Sequence, residues 1–234
     1  MIELELIKKF PHEVIAVDEV GRGPLVGPVV IGAIRVLVQN KKELTMLLNF
    51  LKPVGINDSK KLSSLKRLGI LKDLGMSLLN YRDKGVVKLN SLSVSYVTWE
   101  MDHDVIDREN ILAASLRGMK EASLFLSEEK KIPITVLIDG NKSFRWDKKT
   151  SPFNEIPIIK GDQHSLVIGL ASILAKEKRD SFMRQMHELY PMYGLDQHFG
   201  YPTKNHKAAI KEFGPSPIHR KTFKGVKEVI TSRS

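Results

Sequence analysis

Two apolar segments separated by a turn rich in glycine and proline constrain the fold of this chain more than any other feature. Val14–Val17 is apolar throughout, Val29–Val38 is rich in valine and isoleucine, and the sequence GRGPLVGP lies between them. Continuous apolar runs indicate buried strands, while glycine and proline favour a tight connection. We therefore predict two buried strands joined by a compact turn.

Two further apolar runs lead into an acidic residue beside a glycine. Ile134–Ile138 is followed by DGN, whose acid is Asp139, and Ile156–Ile159 is followed by KGD, whose acid is Asp162. Short apolar runs bounded by turn-forming residues are typical of strands. We expect both strands to deliver an acid at their ends.

Helical periodicity appears in several segments. Apolar residues recur at intervals of three and four within Leu112–Leu126, which predicts a helix that covers the sheet. The segment Ser165–Lys178 is apolar on nearly every side, which predicts a largely buried helix. Shorter basic helices are expected near Lys204–Phe213 and Lys224–Thr231. This mixture of helices and buried strands indicates the α/β class.

Composition narrows the chemistry. The chain has 234 residues, no cysteine and a formal net charge of +10. Without cysteine, disulfides and thiolate sites are excluded, so any metal must be bound by carboxylates or histidines. The sequence has no apolar run long enough to span a bilayer and no apolar region of the signal-peptide type at its start. We therefore expect a soluble, cytoplasmic protein without a membrane partner.

The positive charge is concentrated in the last part of the chain. From residue 200 to 234 there are eight lysines and arginines against Glu212 and Glu228, a net charge of +6. Such a basic arm suggests contacts with the phosphates of a polyanion, although an ordinary soluble basic surface explains it equally well. Charge therefore proposes a partner and leaves the chemistry open.

Four acids next to apolar strands form a candidate metal site: Asp18, Glu19, Asp139 and Asp162. Hydrolysis of a phosphodiester needs an activated water and neutralisation of the phosphate, which paired Mg²⁺ or Mn²⁺ ions supply together. Such hard cations prefer oxygen ligands. Because a sheet can gather strand ends at one edge, the four carboxylates could meet there despite their separation in sequence.

Each acid also has a purely structural explanation. Asp162 could cap the helix that begins near Ser165, Asp139 could shape a turn, and Asp18 or Glu19 could face solvent at the end of a strand. Adjacent residues of a strand point to opposite faces of the sheet. We therefore expect Asp18 and Glu19 to share one site only if the strand distorts or ends there.

The turn residues Gly21, Arg22 and Gly23 follow the first two acids directly. Glycine allows backbone groups to approach a ligand closely, and a ribose 2′-hydroxyl can both donate to and accept from such groups. The turn could therefore distinguish RNA from DNA. An ordinary connection between two strands explains the same three residues.

Eight motifs follow one another along the chain. They are VDEVGRGPLVGPVV near the start, NDSKKLS at 57–63, DRENILAAS at 107–115, IDGN at 138–141, KGD at 160–162, ASILAKEKRD at 171–180, GYPT at 200–203 and GPSPIHRKTF at 214–223. In this order, and over nearly the whole chain, they resemble ribonuclease HII, the type 2 ribonuclease H family. The short chain and its GRGP turn resemble type HII more than type HIII.

The resemblance implies an RNase H-like fold with a mixed five-stranded sheet flanked by helices and a C-terminal helical extension beside the substrate groove. Residues 1–190 would form the catalytic core, and residues 191–234 a basic helical and loop region packed on it within a single domain. A monomer is expected, and we find no glutamine-led C-terminal sequence of the kind that docks on a sliding clamp.

The resemblance also implies an activity. It is that of an endoribonuclease that hydrolyses the phosphodiester 5′ to a ribonucleotide, in RNA/DNA hybrids and in DNA duplexes with embedded ribonucleotides. Two Mg²⁺ or Mn²⁺ ions would act with the substrate and leave 3′-hydroxyl and 5′-phosphate ends. A non-catalytic nucleic-acid-binding module and a phosphohydrolase of small substrates are the alternatives, and the complete set of four acids and the basic arm weigh against them.

Individual roles follow by motif. The residues implied to be catalytic and metal-binding are Asp18, Glu19, Asp139 and Asp162. Gly21, Arg22 and Gly23 match the ribose-sensing turn, and Tyr201 matches the tyrosine that packs at the DNA side of the junction. Lys60 and Arg220 fall on basic positions that we assign to phosphate contacts.

Some positions depart from the commoner family strings. Phe199 stands where lysine often precedes GYP, which removes one expected phosphate contact, and Glu177 replaces a usual valine, so it needs solvent or a salt-bridge partner. Four histidines could suggest a general base, but a two-ion site can activate water by itself, so structural roles or phosphate contacts are expected for them. The four are His164, His198, His206 and His219. Only for His164, two residues after Asp162, does the general-base alternative stay open.

Overall fold

The computed structural model describes residues 1–56, 59, 61–90, 92–128, 132–144 and 153–233. Within them, six strands form one sheet. The strands are β1 His12–Val20, β2 Val29–Val38, β3 Gly85–Leu89, β4 Leu92–Met101, β5 Ile134–Asp139 and β6 Phe153–Ile158. The helices are α1 Ile2–Leu6, α2 Lys41–Leu51, α3 Ser64–Asp73, α4 His103–Glu109, α5 Ile111–Leu126, α6 Gly161–His164, α7 Leu166–Leu189, α8 Leu195–His198, α9 Lys204–Phe213 and α10 Lys227–Arg233, with short 3-10 turns at Lys52–Val54 and Pro191–Tyr193.

The sheet is mixed, with strand order β3-β4-β2-β1-β5-β6. Strands β1 to β4 pair antiparallel, whereas β5 runs parallel to β1 and β6 runs parallel to β5. Because β1 and β5 are parallel, their carboxyl ends meet at the same edge of the sheet. That edge is where the acids predicted at strand ends are found.

Alternate residues of β1 pack into two different cores. Val14 and Ala16 belong to the cluster under α7 and α2, whereas Ile15 and Val17 belong to the cluster under α5. A strand covered by helices on both faces needs apolar residues at every position, which explains the continuous apolar run.

Helix α7 is the central helix of one face. Ser165 begins it, because its side chain accepts a hydrogen bond from the Ile168 amide at 3.1 Å. The helix is longer than the predicted Ser165–Lys178 segment. It carries Glu177, which is fully buried and pairs with Arg67 at 3.0 Å and Arg184 at 2.8 Å, so the expected salt-bridge partners of this glutamate are present.

The C-terminal segments pack on the turn between β1 and β2. Leu25 and Val26 from that turn share a third apolar cluster with Met183 of α7, Ile210 of α9 and Val226. The predicted helices at Lys204–Phe213 and near the C-terminus are both present as α9 and α10. The division of the chain at residue 190 stays a prediction.

The α/β class and the four predicted strands are confirmed, and the sheet has six strands in place of the expected five. The sequence analysis did not single out β3 and β4. Strand β4 alternates serine and threonine with apolar residues, so it lacks the continuous apolar run used to find the others. Among the described residues, no helix is both long and apolar enough to cross a bilayer.

Candidate active site

Parallel pairing of β1 with β5 brings the first three acids to one edge of the sheet. Val17 is in register with Ile138, so Asp18 and Asp139 occupy the next positions on neighbouring strands. Asp162 lies in α6, which starts just beyond β6, and its amide donates to Asp139 Oδ1 at 3.4 Å. The acids at 18, 19, 139 and 162 therefore surround the end of β5.

Asp18 faces the helix α7. It pairs with Gly32 on the neighbouring strand β2. A Cβ added to Gly32 would lie 2.1 Å from the Ala171 carbonyl oxygen, so only glycine allows α7 to approach the sheet this closely. The approach brings Ser172 into a hydrogen bond with the Asp18 carboxylate. Ser172 in turn lies 2.7 Å, Oγ to Oγ, from the buried Ser59. The buried pair Ser172 and Ser59 thus fixes the position of the Asp18 carboxylate from the side of α7.

Buried negative charge accumulates at Asp18. Burial raises the pKa of Asp18 well above its ordinary value, and the neighbouring charges of Asp139, Glu19 and Asp162 raise it further, against the hydrogen bond from Ser172. A carboxylate in such surroundings is costly to ionise unless a cation is close.

Glu19 faces the other side of the sheet. It lines a cavity of about 110 Å³ together with Asp139 and the α5 residues Ser115 and Leu116. Its carboxylate is 3.1 Å from the Arg22 guanidinium, which is 48% exposed. Burial raises the pKa of Glu19 to about 6, although Arg22 acts in the opposite direction.

The first strand neither breaks nor ends at the two acids, so the condition set for a shared site is not met in that form. Strand β1 continues through Val20, with Asp18 paired to Gly32 and Glu19 paired to Ile31. The two adjacent acids leave on opposite faces, as a regular strand requires. Both acids lie near Asp139 because β5 ends at that residue. Beyond this end, in the described part of the chain, no neighbouring strand separates the two faces of the sheet.

The donor chemistry of the four acids fits a divalent cation. All four offer carboxylate oxygens, which Mg²⁺ and Mn²⁺ prefer, and the buried Asp18 charge favours a cation beside it. In the described residues, however, no three acidic or histidine side chains converge closely enough to hold a metal ion as they stand. The Glu19 carboxylate is engaged with Arg22.

Arg220 binds the backbone of the GRG turn from the protein interior. This side chain is fully buried, and its guanidinium donates four hydrogen bonds of 2.7 to 3.0 Å to backbone carbonyls. The accepting carbonyls are those of Gly21, Arg22, Pro24 and Gly27. Burial lowers the pKa of Arg220 to about 9, which leaves the guanidinium charged at neutral pH.

A second buried arginine supports the same turn. Arg179 of α7 donates to the carbonyls of Val26 at 3.2 Å, Pro28 at 3.3 Å and Phe199 at 3.0 Å. Gly21 has φ +100°, and an added Cβ there would lie 2.1 Å from Arg179 Nε. Glycine is therefore required at position 21 for both its conformation and its contact.

Tyr201 lies beside the turn. Its side chain is 41% exposed, and its ring edge would be 3.5 Å from a Cβ added to Gly23. The Leu25 amide donates to the Gly200 carbonyl at 2.8 Å, which ties the two segments together. The structure thus places the GRG turn and Tyr201 next to each other. The turn itself begins two residues after Glu19.

The structure does not support the phosphate contact predicted for Arg220. The side chain has no exposed surface, and its guanidinium nitrogens all donate to carbonyls of the turn. Its position indicates that it shapes the turn. Lys60, the other predicted phosphate contact, lies outside the described residues.

Sequence reasoning missed the supporting residues Arg179 and Ser172, and it named His206 and His219 without finding that they pair. The side chains of these four residues reach residues more than ten positions away, so no local pattern reports their contacts. One signal was available for Arg179. It follows Ala175 by four residues and so continues the apolar face of the first half of the helix, where a charge indicates a specific partner.

Two of the four histidines are buried in contact with each other. His206 and His219 are fully buried, with their Nε2 atoms 3.2 Å apart. Burial lowers the pKa of His206 to about 4 and that of His219 to about 3. His198 stacks on His206 with ring centroids 4.6 Å apart. These three lie away from the acids, in the C-terminal region, whereas His164 is exposed beside Asp162 at the end of α6.

These histidines should make the fold sensitive to mild acid. In the unfolded chain they titrate near 6.5, so as the pH falls below that value the unfolded state binds protons that the native state does not. The free energy of unfolding should then fall by about 2 kcal/mol per histidine between pH 6.5 and 5. Thermal unfolding of the wild type and of His206→Gln across this range measures the difference, with the partly exposed His187→Gln as the control. Equal pH slopes in wild type and His206→Gln would contradict the expectation.

The sheet order and the helices on its two faces match the fold of solved ribonucleases H. The crystal structure of ribonuclease H2 from Pyrococcus horikoshii OT3 superposes with a TM-score of 0.64 at 22% identity, covering 94% of this chain and 98% of that one. Bst-RNase HIII in complex with Mn²⁺ superposes with a TM-score of 0.59 at 15% identity, covering 95% and 70%. At these identities the likeness shows the fold.

Sequence comparison identifies the family. The family model described as ribonuclease HII matches residues 15–226. Ribonuclease HII of Zymomonas mobilis is 38% identical over 216 residues, which are 92% of this chain and 86% of that protein. The chain belongs to the ribonuclease HII family, and it is a ribonuclease H hydrolase with endonuclease activity.

Proposed function

We propose that this chain hydrolyses the phosphodiester on the 5′ side of a ribonucleotide, in RNA/DNA hybrids and in DNA duplexes with embedded ribonucleotides. It uses two divalent ions, Mg²⁺ or Mn²⁺, and leaves 3′-hydroxyl and 5′-phosphate ends. The observation that carries the proposal is the placement of Asp18, Glu19, Asp139 and Asp162 at one edge of the sheet, directly beside the GRG turn.

The short distance between the acids and the turn supports cleavage at a ribonucleotide. Glu19 and Gly21 are two residues apart, so at most ~7 Å of chain separates them. A ribose recognised by the backbone of the turn would therefore have its adjoining phosphate close to the acids. The turn can serve this purpose because its shape is set by buried arginines and not by its own side chains.

The metal ions would be held by the four acids. When bound, they supply charge neutralisation at the phosphate and lower the pKa of the attacking water. The residues of this chain prepare the site: Ser172 and the Glu19 amide, at 2.7 Å, orient the Asp18 carboxylate. The half-exposed Arg22 places a positive charge beside the acids, where a phosphate can be attracted.

A basic surface adjoins the turn and supports a duplex substrate. Lys207, Lys211 and Lys224 line a cavity of about 480 Å³ together with Gly23 and Pro202. Lysines beside the turn can neutralise backbone phosphates on either side of the recognised ribose. This cavity joins the predicted basic arm to the candidate active site.

The direct test is cleavage of matched duplexes. We expect the protein with Mg²⁺ or Mn²⁺ to cut a duplex with one ribonucleotide and an RNA/DNA hybrid, and to leave the all-DNA duplex of the same sequence intact. Mapping of the ends should place the cut 5′ to the ribonucleotide with a 3′-hydroxyl. No cleavage with either ion, or equal cleavage of the all-DNA duplex, would refute the proposal.

A further inference from the structure

A chain of hydrogen bonds runs from the segment GPSPIHRKTF to the backbone of Tyr201. The Ser216 amide lies 2.9 Å from His219 Nδ1, His219 Nε2 lies 3.2 Å from His206 Nε2, and His206 Nδ1 lies 3.0 Å from the Tyr201 carbonyl oxygen. Both rings are fully buried.

The direction of this chain is determined by its two ends. A backbone amide can only donate, so the Ser216 amide requires His219 Nδ1 to accept, and the neutral ring then carries its proton on Nε2. The Ser216 hydroxyl, 2.7 Å from the same nitrogen, is then a second donor to it. That proton is donated to His206 Nε2, which leaves the His206 proton on Nδ1. His206 therefore donates to the Tyr201 carbonyl, a group that can only accept. Each ring has one permitted tautomer, and each ring must be neutral.

Both backbone groups of Tyr201 are hydrogen-bonded within this region. Its carbonyl accepts from His206 and from the Thr203 amide at 2.8 Å, and its amide donates to the His198 carbonyl at 2.9 Å. His198 is itself oriented, because the Gly200 amide donates to its Nδ1 at 3.2 Å and its ring stacks on His206. Two histidines therefore contribute a hydrogen bond each to the backbone that carries the Tyr201 ring, and His206 supplies the one that comes from a side chain.

The same segment also holds the GRG turn. Arg220 follows His219 directly and binds the carbonyls of Gly21 and Arg22, while His219 reaches Tyr201 through His206. Two neighbouring residues thus connect to the two elements that contact each other at Gly23.

We propose that His206 and His219 are positioning residues that hold Tyr201 against the GRG turn and thereby set how efficiently the chain cuts at a ribonucleotide junction. This inference rests on the function proposed above. The histidines touch neither substrate nor acids and act only through the tyrosine. Burying two imidazoles in place of apolar side chains is costly, and a directional connection that apolar residues cannot make accounts for them.

Nuclear magnetic resonance tests the hydrogen-bond chain without any substrate. In protein with ¹⁵N-labelled histidine at pH 7, two-bond correlations are expected to show His219 protonated at Nε2 and His206 protonated at Nδ1, both neutral. The opposite tautomer of either ring, or a charged ring, would overturn the proposal. This measurement does not depend on whether the chain cleaves nucleic acid.

Kinetics test the positioning role. His206→Ala should lower kcat/KM on the duplex with one ribonucleotide by about 10- to 100-fold, because a displacement near 1 Å has effects of this size. In a Tyr201→Ala background the same substitution should change kcat/KM by less than about 3-fold, since its effect passes through the tyrosine. A general loss of folding would produce equal factors in both backgrounds, and equal factors would overturn the proposal.

A pair of conservative variants sharpens the test. His206→Asn keeps an N–H near the position of Nδ1, facing Tyr201, whereas His206→Gln places its amide near the position of Nε2, facing His219. We expect Asn to retain more activity than Gln at matched thermal unfolding midpoints, with the partly exposed His187→Ala unchanged. Gln equal to or better than Asn would overturn the proposal. If the wild type cuts none of the duplexes, the proposed function fails, while the tautomers still decide whether the chain of hydrogen bonds exists.

Discussion

Replacing Asp18 by asparagine is expected to lower the cleavage rate by about 10³-fold. Asp18 is the most buried of the four acids and receives hydrogen bonds from Ser172 and the Glu19 amide, so the amide side chain should keep the shape of the site while removing one charged ligand. Bound ions supply several kcal/mol of charge stabilisation, and each 1.36 kcal/mol corresponds to a factor of ten. Single-turnover cleavage of the duplex with one ribonucleotide measures the loss.

The same variant should be more stable than the wild type without metal. Burial and the neighbouring carboxylates raise the pKa of Asp18, so its contribution to stability is present at low pH and is lost as the pH rises through the raised pKa. At neutral pH the thermal unfolding midpoint of Asp18→Asn should therefore exceed that of the wild type, and added Mn²⁺ should raise the wild-type midpoint more. Asp73→Asn, an exposed acid on α3, is the control. Full activity of Asp18→Asn would remove Asp18 from the proposed site.

Replacing Arg220 by lysine is expected to reduce both stability and cleavage. Lysine offers three donors from one nitrogen and cannot serve four carbonyls around a planar fork, so at least one buried carbonyl loses its partner. The free energy of unfolding should fall by roughly 1 to 3 kcal/mol for each carbonyl left unpaired. Cleavage of the duplex with one ribonucleotide should fall by about 10- to 100-fold as the GRG turn shifts.

Salt dependence separates this role from the phosphate contact predicted from sequence. A lost phosphate contact lowers the slope of log affinity against log salt by about one, whereas a displaced turn leaves that slope unchanged. We expect an unchanged slope for Arg220→Lys and a reduced slope for Lys207→Ala, whose side chain lines the basic cavity. A reduced slope for Arg220→Lys at wild-type stability would restore the phosphate contact.

The parts of the candidate site that could be predicted are those with a local signal. Asp139 and Asp162 follow apolar runs, and Asp18 and Glu19 precede a glycine turn, so each acid stands out within a few residues. Helix α9 was predicted at its observed bounds because its basic face and its flanking turn residues are also local. Strand β4 escaped notice because serine and threonine interrupt its apolar residues.

The expectation about Glu19 shows where local reasoning stops. The alternation of side chains along a strand is a local rule, and β1 obeys it through Val20. Whether two acids on opposite faces can still approach one another depends on the neighbouring strand. Because β5 ends at Asp139, both faces open at the same edge, and this end point is a property of the sheet.

By itself, the sequence determined the α/β class, the acids that could bind a divalent ion, the glycine turn beside them and, through its motifs, the resemblance to ribonuclease HII. Those features depend on residue type and short spacing, which a linear chain displays directly. Only the tertiary structure decided what Arg220, Arg179, His206 and His219 do. Their hydrogen bonds join segments up to 199 positions apart, and partners at such distances are selected by the packing of the whole fold.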